Sequence, residues 1–148
     1  MSPTNQLEAR TSHIFSASAD AVFDSWINPS KIGQWMFGPN VRDEVVVSID
    51  VDARLGGAFS FLVQRQNQVI DHIGTYAIIE RPHRLDFDWG VKGMSDNSRV
   101  SVTIKPHDHG CELNLIHYLD PAWSAYLQRS IDGWKHMLTV LEKNLVSK

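Results

Sequence analysis

The C-terminal segment of the chain constrains its fold most. After Pro121 the sequence contains no further proline and carries one apolar stripe at helical spacing. The stripe consists of Leu127, Ile131, Trp134, Met137, Leu138, Leu141 and Leu145. Pro121 suits the first turn of a helix, with Asp120 as its N-cap. A long helix with one apolar face has to pack against a second layer, which the rest of the chain must supply.

That second layer is predicted to be a sheet, because the middle of the chain alternates apolar and polar residues. Leu85, Phe87 and Trp89 alternate with Asp86 and Asp88, so the two aspartates are expected to face solvent. We predict strands over residues 10–17, 44–51, 58–64, 69–79, 85–89, 100–105 and 112–118. Between the first two strands the spacing predicts one helix over residues 20–27 and another from residue 29 or 30 to residue 36.

These elements predict an α+β protein with a helix-grip fold. A curved antiparallel sheet of about seven strands wraps on the long C-terminal helix, and two short helices lie between strands 1 and 2. The chain has 148 residues, which matches one domain. Because no repeat or linker interrupts the order, residues 1–148 are taken as a single domain, with residues 1–9 expected to be loose.

An apolar cavity is predicted between sheet and helix, because the inward-facing residues are unusually aromatic. The predicted ligand-binding residues are Trp35, Phe37, Phe59, Phe61, His72, Tyr76, Phe87, Trp89, His117 and Trp134. Trp35 and Phe37 are expected at the mouth, while His72, Tyr76 and His117 supply polar groups. Such a site predicts a closed cavity of roughly a few hundred Å³. Large alternating aromatic residues also form packed cores, so whether the space is empty or filled stays open.

Composition limits the kinds of partner. The formal net charge is −3 and the Lys and Arg residues are scattered, so we expect neither nucleic acid nor an anionic membrane surface as a partner. Cys111 is the single cysteine, which excludes an intrachain disulfide. No apolar run is long enough to span a bilayer, and the N-terminal residues lack the apolar core of a signal peptide. We therefore expect a cytoplasmic protein.

The common catalytic signatures are absent from the sequence. There is no G-x-S-x-G, H-E-x-x-H, G-x-G-x-x-G or phosphate-binding Gly-Lys-Ser/Thr motif. No metal site or cofactor is predicted, since Cys111 has no second sulfur ligand, and no residue is assigned a catalytic role. An enzyme of the cyclase or hydrolase type remains an alternative that requires His72, Tyr76 or His117 to meet around one space, because histidine titrates near neutrality.

Several short segments, in a fixed order, resemble a known family. They are ADAVFDSW from Ala19, IGQW from Ile32, DARLGGAF from Asp52, GTY from Gly74, RPHRL from Arg81, LIH from Leu115 and DGW from Asp132. From about residue 11 to residue 145 the chain resembles the homologues of the activator of Hsp90 ATPase, in the START and Bet v 1-like superfamily of helix-grip proteins. The resemblance implies a fold that holds apolar small molecules between sheet and helix; a few members are cyclases or hydrolases.

The same resemblance leaves chaperone binding without support. The co-chaperone carries a separate N-terminal domain that makes much of the Hsp90 contact, and this chain shows none, so a protein-interaction module is a second alternative only. The family commonly has two adjacent Trp residues where this chain has Trp35 and Met36, a departure expected at the pocket mouth. The leading hypothesis is therefore the binding of a small apolar or aromatic molecule, with no physiological role assigned.

Two positions in the C-terminal segment carry further alternatives. Trp123 is expected either to form a homodimer contact or to pack on the mouth of the cavity. Gly133 lies within the predicted helix, where glycine costs about 1 kcal/mol relative to alanine. We expect it either to let the helix approach the sheet or to leave space beside Trp134.

Overall fold

The computed structural model describes residues 7–94 and 97–146 of the chain. Its strands are Leu7–Phe15 (β1), Val45–Val51 (β2), Ala58–Arg65 (β3), Gln68–Glu80 (β4), Arg84–Val91 (β5), Asn97–His107 (β6) and Gly110–Leu119 (β7). Its helices are Ala19–Ile27 (α1), Pro29–Trp35 (α2), a 3-10 helix over Pro121–Tyr126 and Leu127–Val146 (α3). The strands form one antiparallel sheet in the order β1-β7-β6-β5-β4-β3-β2, which confirms the predicted fold class.

The two short helices begin where side chains can satisfy free backbone N–H groups. Ser18 Oγ accepts a hydrogen bond of 3.2 Å from Ala21 N–H, and Asn28 Oδ1 accepts one of 3.1 Å from Ser30 N–H. Pro29 occupies the first turn of α2, where its missing N–H costs nothing. The Asn28 cap lets α2 begin directly after α1, and both helices pack buried residues such as Trp26 and Trp35 into the core.

Strand β1 begins earlier than expected. Leu7 pairs with Leu119 and Ala9 pairs with His117, so residues 7–9, predicted to be loose, belong to the sheet. The physical reason is burial, since Ala9 is completely buried and its backbone completes the edge of β7. Residues 1–6 lie outside the described part of the chain.

The sheet curves where extra residues and a glycine allow it. Bulges interrupt the pairing between Val46 and Ser48 and between Tyr76 and Ile78, and such bulges bend and twist a strand. Gly74 lies under the Phe59 ring, where an added Cβ would be 2.5 Å from Phe59 Cζ and would overlap the carbonyl oxygen of Asp88. The aromatic ring therefore packs directly on the β4 backbone.

The C-terminal segment closes the concave face. The 3-10 helix is kinked at Trp123 (φ −100°, ψ 21°) and leads into α3. Trp134, Leu138 and Leu141 on α3 are buried in the core, and Glu142 accepts a hydrogen bond of 3.0 Å from His13 Nε2 on β1. None of the helices in residues 7–94 and 97–146 has the length and apolar character needed to cross a membrane.

Candidate ligand-binding site

The ten predicted ligand-binding residues come together in one aromatic cluster on the concave face. Contacts between ring centroids of 4.6–6.4 Å join Phe37, Phe59, Phe61, His72, Tyr76, Phe87, Trp89, His117 and Trp134. Trp35 joins the cluster through Trp26 on α1, at 4.7 Å. Trp26 also stacks on Trp134 at 5.8 Å. Sequence reasoning assigned Trp26 to a helix and missed it as a site residue, although its helical spacing with Val22 marked it as inward-facing.

The rings fill most of the space that they surround. The enclosed cavity has a volume of about 10 Å³ and is lined by Trp26, Met36, Phe59, Phe61, Tyr76 and Phe87. A cavity of that size holds a single water molecule. The closed cavity of roughly a few hundred Å³ expected for a ligand site is therefore not found among the described residues.

Two residues expected at the mouth lie in the interior instead. Trp35 is 0% exposed and Phe37 is 3% exposed. Trp35 Nε1 donates a hydrogen bond of 2.8 Å to the carbonyl oxygen of Ser25, which holds the ring under α1. Met36 is also buried and lines the enclosed cavity, so the departure from the family pattern lies at the cavity and not at the mouth.

An open pocket lies beside the cluster, where strands β5, β6 and β7 reach the 3-10 helix. Its volume is about 220 Å³, and its lining residues are Trp89, Gly90, Val91, Met94, Ser98, His117, Leu119, Asp120 and Trp123. Trp89 and His117 are the members of the predicted set that line it. Trp123 lines this pocket as well, and the homodimer contact expected as one alternative for it stays a prediction.

His117 forms the polar inner end of this pocket. Trp134 Nε1 lies 3.1 Å from His117 Nδ1, and Ser98 Oγ lies 2.7 Å from His117 Nε2. An indole N–H only donates, so Nδ1 accepts and the imidazole proton is on Nε2, which donates to Ser98 Oγ. The Ser98 hydroxyl in turn donates to the carbonyl oxygen of Trp89 at 3.3 Å. The chain of hydrogen bonds joins α3, β7, β6 and β5.

The electrostatics of His117 keep the ring neutral at physiological pH. Burial lowers the pKa of His117 to about 4, because the charged form loses its hydration. A serine nucleophile needs a histidine nitrogen that accepts its proton, whereas His117 Nε2 donates to Ser98. The Ser98–His117 pair therefore orients side chains and does not have the arrangement of a hydrolase dyad, while Ser130 Oγ lies 3.2 Å from the accepting Nδ1 that Trp134 also contacts.

The other two polar candidates face different spaces. His72 Nδ1 lies 3.2 Å from the carbonyl oxygen of Phe61, and the ring borders an open depression of about 490 Å³ with Arg65 and Lys92. Burial lowers the pKa of His72, whereas burial raises the pKa of Tyr76, which lines the enclosed cavity. The cyclase or hydrolase alternative required these groups and His117 to meet, and within the described residues they do not.

A buried carboxylate near the cluster was missed by the sequence reasoning. Glu44 Oε2 accepts hydrogen bonds from Gly38 N–H at 2.8 Å and from Arg42 Nη1 at 2.9 Å, while Arg65 Nη2 donates to Oε1 at 2.7 Å. Burial by itself would raise the pKa of Glu44, but the hydrogen bonds from Gly38, Arg65 and Arg42 outweigh it and lower the pKa. Because every donor belongs to the protein, we interpret this network as structural support for the loop after Phe37.

Other features of the described chain offer less chemistry. No group of three His, Cys, Asp or Glu side chains in residues 7–94 and 97–146 is arranged to hold a metal ion. Cys111 is completely buried, and burial raises the pKa of its thiol, so the thiol is unreactive in the folded chain. A depression of about 350 Å³ on the sheet is lined by residues including Arg10, Ser12 and Asn114 and contains no aromatic side chain.

Comparison with known families identifies the domain. A family model described as "Activator of Hsp90 ATPase homolog 1-like protein" matches residues 16–146. No functionally curated protein matches the chain.

Solved structures share the fold over nearly the whole chain. Protein CV1439 from Chromobacterium violaceum is 21% identical with a TM-score of 0.78, covering 98% of this chain and 99% of that one. A protein from Rhodobacter sphaeroides is 18% identical with a TM-score of 0.81, covering 99% and 95%. The AHSA1-like protein from Aeromonas hydrophila is 20% identical with a TM-score of 0.77, covering 93% and 90%. At these identities the comparison shows the fold alone.

Proposed function

The chain belongs to the activator of Hsp90 ATPase homolog 1-like family, and we propose that it binds a small apolar or aromatic molecule between its sheet and its C-terminal helical segment, at the 3-10 helix that leads into α3. One observation carries the proposal: an open pocket of about 220 Å³ has the Trp89 and Trp123 side chains in its walls and the buried His117 at its inner end. Ligand sites are typically apolar clefts with a few polar groups that fix orientation.

The size of the pocket indicates the size of the ligand. An apolar cavity of about 150 Å³ takes up benzene, so a pocket of about 220 Å³ suits a molecule of one or two rings. Trp89 and Trp123 offer faces or edges for aromatic contact, which adds about 1 kcal/mol per ring pair to the burial of apolar area.

The charges around the pocket favour a neutral ligand. His117 is neutral at pH 7, because burial lowers its pKa to about 4. Asp120 is the one Asp, Glu, Lys or Arg among the lining residues that the structure describes, and its Oδ1 accepts a hydrogen bond of 2.9 Å from Ala122 N–H. No cation lies among these lining residues to pair with an anionic ligand, and the pocket walls are largely hydrocarbon.

The first experiment is native mass spectrometry of freshly purified protein, repeated after denaturation. We expect an additional mass that is lost on denaturation and whose composition gives the ligand. If the protein is isolated empty, titration with 2-naphthol followed by tryptophan fluorescence measures binding directly. A protein that carries no extra mass and does not bind the aromatic probe contradicts the proposal.

A pair of variants locates the binding. Trp123→Ala removes one wall of the pocket, so we expect the Kd for 2-naphthol to rise about five- to tenfold. Leu55→Ala is the control, because Leu55 is a 74% exposed apolar residue in the turn between β2 and β3 that does not line the pocket. Equal Kd values for Trp123→Ala and wild type would place binding elsewhere.

A further inference from the structure

One indole in the aromatic cluster has a hydrogen-bond donor that no acceptor in the described part of the chain meets. Trp26 is 2% exposed, and its Nε1 has no acceptor among the described residues. The two buried indoles that contact it are both paired: Trp35 Nε1 donates to Ser25 and Trp134 Nε1 donates to His117. Thr11 Oγ1 is also buried and unpaired, but it lies on β1 outside the aromatic cluster. A buried unpaired N–H is rare in folded proteins and indicates a missing partner.

A water molecule is a poor partner for this donor. Trp26 borders the enclosed cavity of about 10 Å³, whose other walls are Met36, Phe59, Phe61, Tyr76 and Phe87. Trp26 and Tyr76 are the residues of this lining with a hydrogen-bonding N–H or O–H group. A water there has at most these two side-chain partners, which is fewer than the roughly three hydrogen bonds typical of buried waters. Displacement of a poorly held water by a ligand group increases affinity.

The open pocket and the enclosed cavity are separated by a thin aromatic wall. Trp89 lines the open pocket and contacts Phe87 at 6.0 Å and Trp134 at 6.2 Å. Both of these rings contact Trp26, at 6.2 Å and 5.8 Å. Trp89 is half-buried, so its ring is the member of this wall that has room to move toward solvent.

The lining of the cavity also contains its most adaptable residue. Met36 has an unbranched and flexible side chain, which repacks more easily than an aromatic ring. Movement of Trp89 toward solvent would open the wall, and repacking of Met36 would enlarge the space beside Trp26; neither side chain has a hydrogen bond to break among the described residues.

We infer that the ligand is an aromatic molecule carrying a hydrogen-bond acceptor oxygen, such as a ketone or an ester, and that the Trp26 indole N–H receives this oxygen. The inference rests on the proposed function and specifies the chemical class of its ligand. A hydrocarbon would leave the donor unpaired, and a ligand that presents a donor would face the Trp26 N–H unfavourably. A ligand with an acceptor oxygen therefore matches the unpaired donor that borders this cavity.

The test compares two ligands of the same shape in two proteins. The ligands are 1-tetralone, which carries a ketone oxygen, and tetralin, which lacks it. The proteins are wild type and Trp26→Phe, which keeps an aromatic ring and removes the N–H. The ratio of the tetralin Kd to the tetralone Kd is expected to fall about tenfold in Trp26→Phe, since differences in water solubility cancel from this comparison.

The outcomes separate this inference from the function on which it rests. If both ligands bind wild type and the ratio is unchanged in Trp26→Phe, the acceptor inference is wrong and ligand binding stands. If neither ligand binds wild type, the proposed function fails for aromatic molecules of this size.

A second measurement does not depend on the folding of the variant. In ¹⁵N-labelled wild-type protein, the Trp26 indole N–H signal is expected to move downfield with 1-tetralone and not with tetralin. A signal that stays in place at saturating 1-tetralone, or that retains contact with a bound water, overturns the inference.

Discussion

Trp134 Nε1 donates a hydrogen bond of 3.1 Å to Nδ1 of His117, and this bond connects the C-terminal helix to the concave face of the sheet. It selects the imidazole tautomer with the proton on Nε2. Nε2 donates this proton to Ser98 Oγ, so the same nitrogen cannot accept a proton from the Ser98 hydroxyl. The hydrogen bond between Trp134 and His117 therefore determines the direction of the hydrogen bond between His117 and Ser98.

His117 is expected to make the stability of the protein depend on pH. Its pKa is about 4 in the folded chain and 6.5 as the ordinary value. Between these values the unfolded chain binds a proton at His117 that the folded chain does not. The free energy of unfolding therefore falls as pH is lowered from about 6.5 to about 4, by about 3 kcal/mol, and His117 causes no further loss below that.

The variant His117→Asn isolates this contribution. Asn retains an acceptor for Trp134 and does not titrate in this window. We expect urea unfolding at pH 7, 5.5 and 4 to show a smaller pH dependence for His117→Asn than for wild type. Burial also lowers the pKa of His72, but that contribution is present in both proteins and cancels from their difference. Parallel pH profiles would show that His117 titrates normally.

Two glycines are expected to respond oppositely to replacement by alanine. A Cβ at Gly133 would meet no described atom within 4 Å beyond its two chain neighbours and the backbone of its own helix, so the helix does not need a glycine there to approach the sheet, and the first of the two expectations for this residue is wrong. Gly133→Ala is expected to raise the free energy of unfolding by about 1 kcal/mol, the difference in helix propensity. Gly74→Ala is expected to lower it by about 3 kcal/mol, because the Cβ collides with Phe59 and the Asp88 carbonyl. Urea titration checks both; a destabilised Gly133→Ala would contradict the open space.

Two ion pairs of equal length are expected to differ in energetic weight. Arg42–Glu44 and Arg54–Asp52 each have an N–O distance of 2.9 Å, but the Glu44 side chain is 0% exposed and the Asp52 side chain is 50% exposed. Glu44→Gln is expected to cost about 2 kcal/mol, since buried donors lose a charged acceptor. Asp52→Asn is expected to cost less than about 0.5 kcal/mol, because water screens the exposed pair. Similar losses in the two variants would mean that burial does not strengthen the Glu44 network.

The fold could be predicted because local patterns specify it. Alternation of residues such as Phe87 and Trp89 with aspartates defines strands, and the spacing of Trp134, Leu138 and Leu141 defines the last helix. The expectation that Asp86 faces solvent was wrong: it is 4% exposed. Arg84 Nη2 and Ser101 Oγ donate to its carboxylate at 2.9 Å each, and they come from its own strand and from β6. Alternation identifies the face of a sheet on which a residue lies, but not which side chains from other strands cover it there.

The sequence by itself determined the α+β fold, the inward direction of the aromatic residues and the absence of common catalytic motifs, because these depend on residue type and spacing along the chain. The tertiary structure alone decided that the rings fill their own enclosure, that Trp89 and Trp123 line the open pocket, and that the Trp26 N–H has no partner among the described residues. Close packing depends on the distances between side chains that are remote in sequence. A change of one ring width in these distances decides whether a cavity is empty or filled, and the pattern of residues along the chain does not specify such distances.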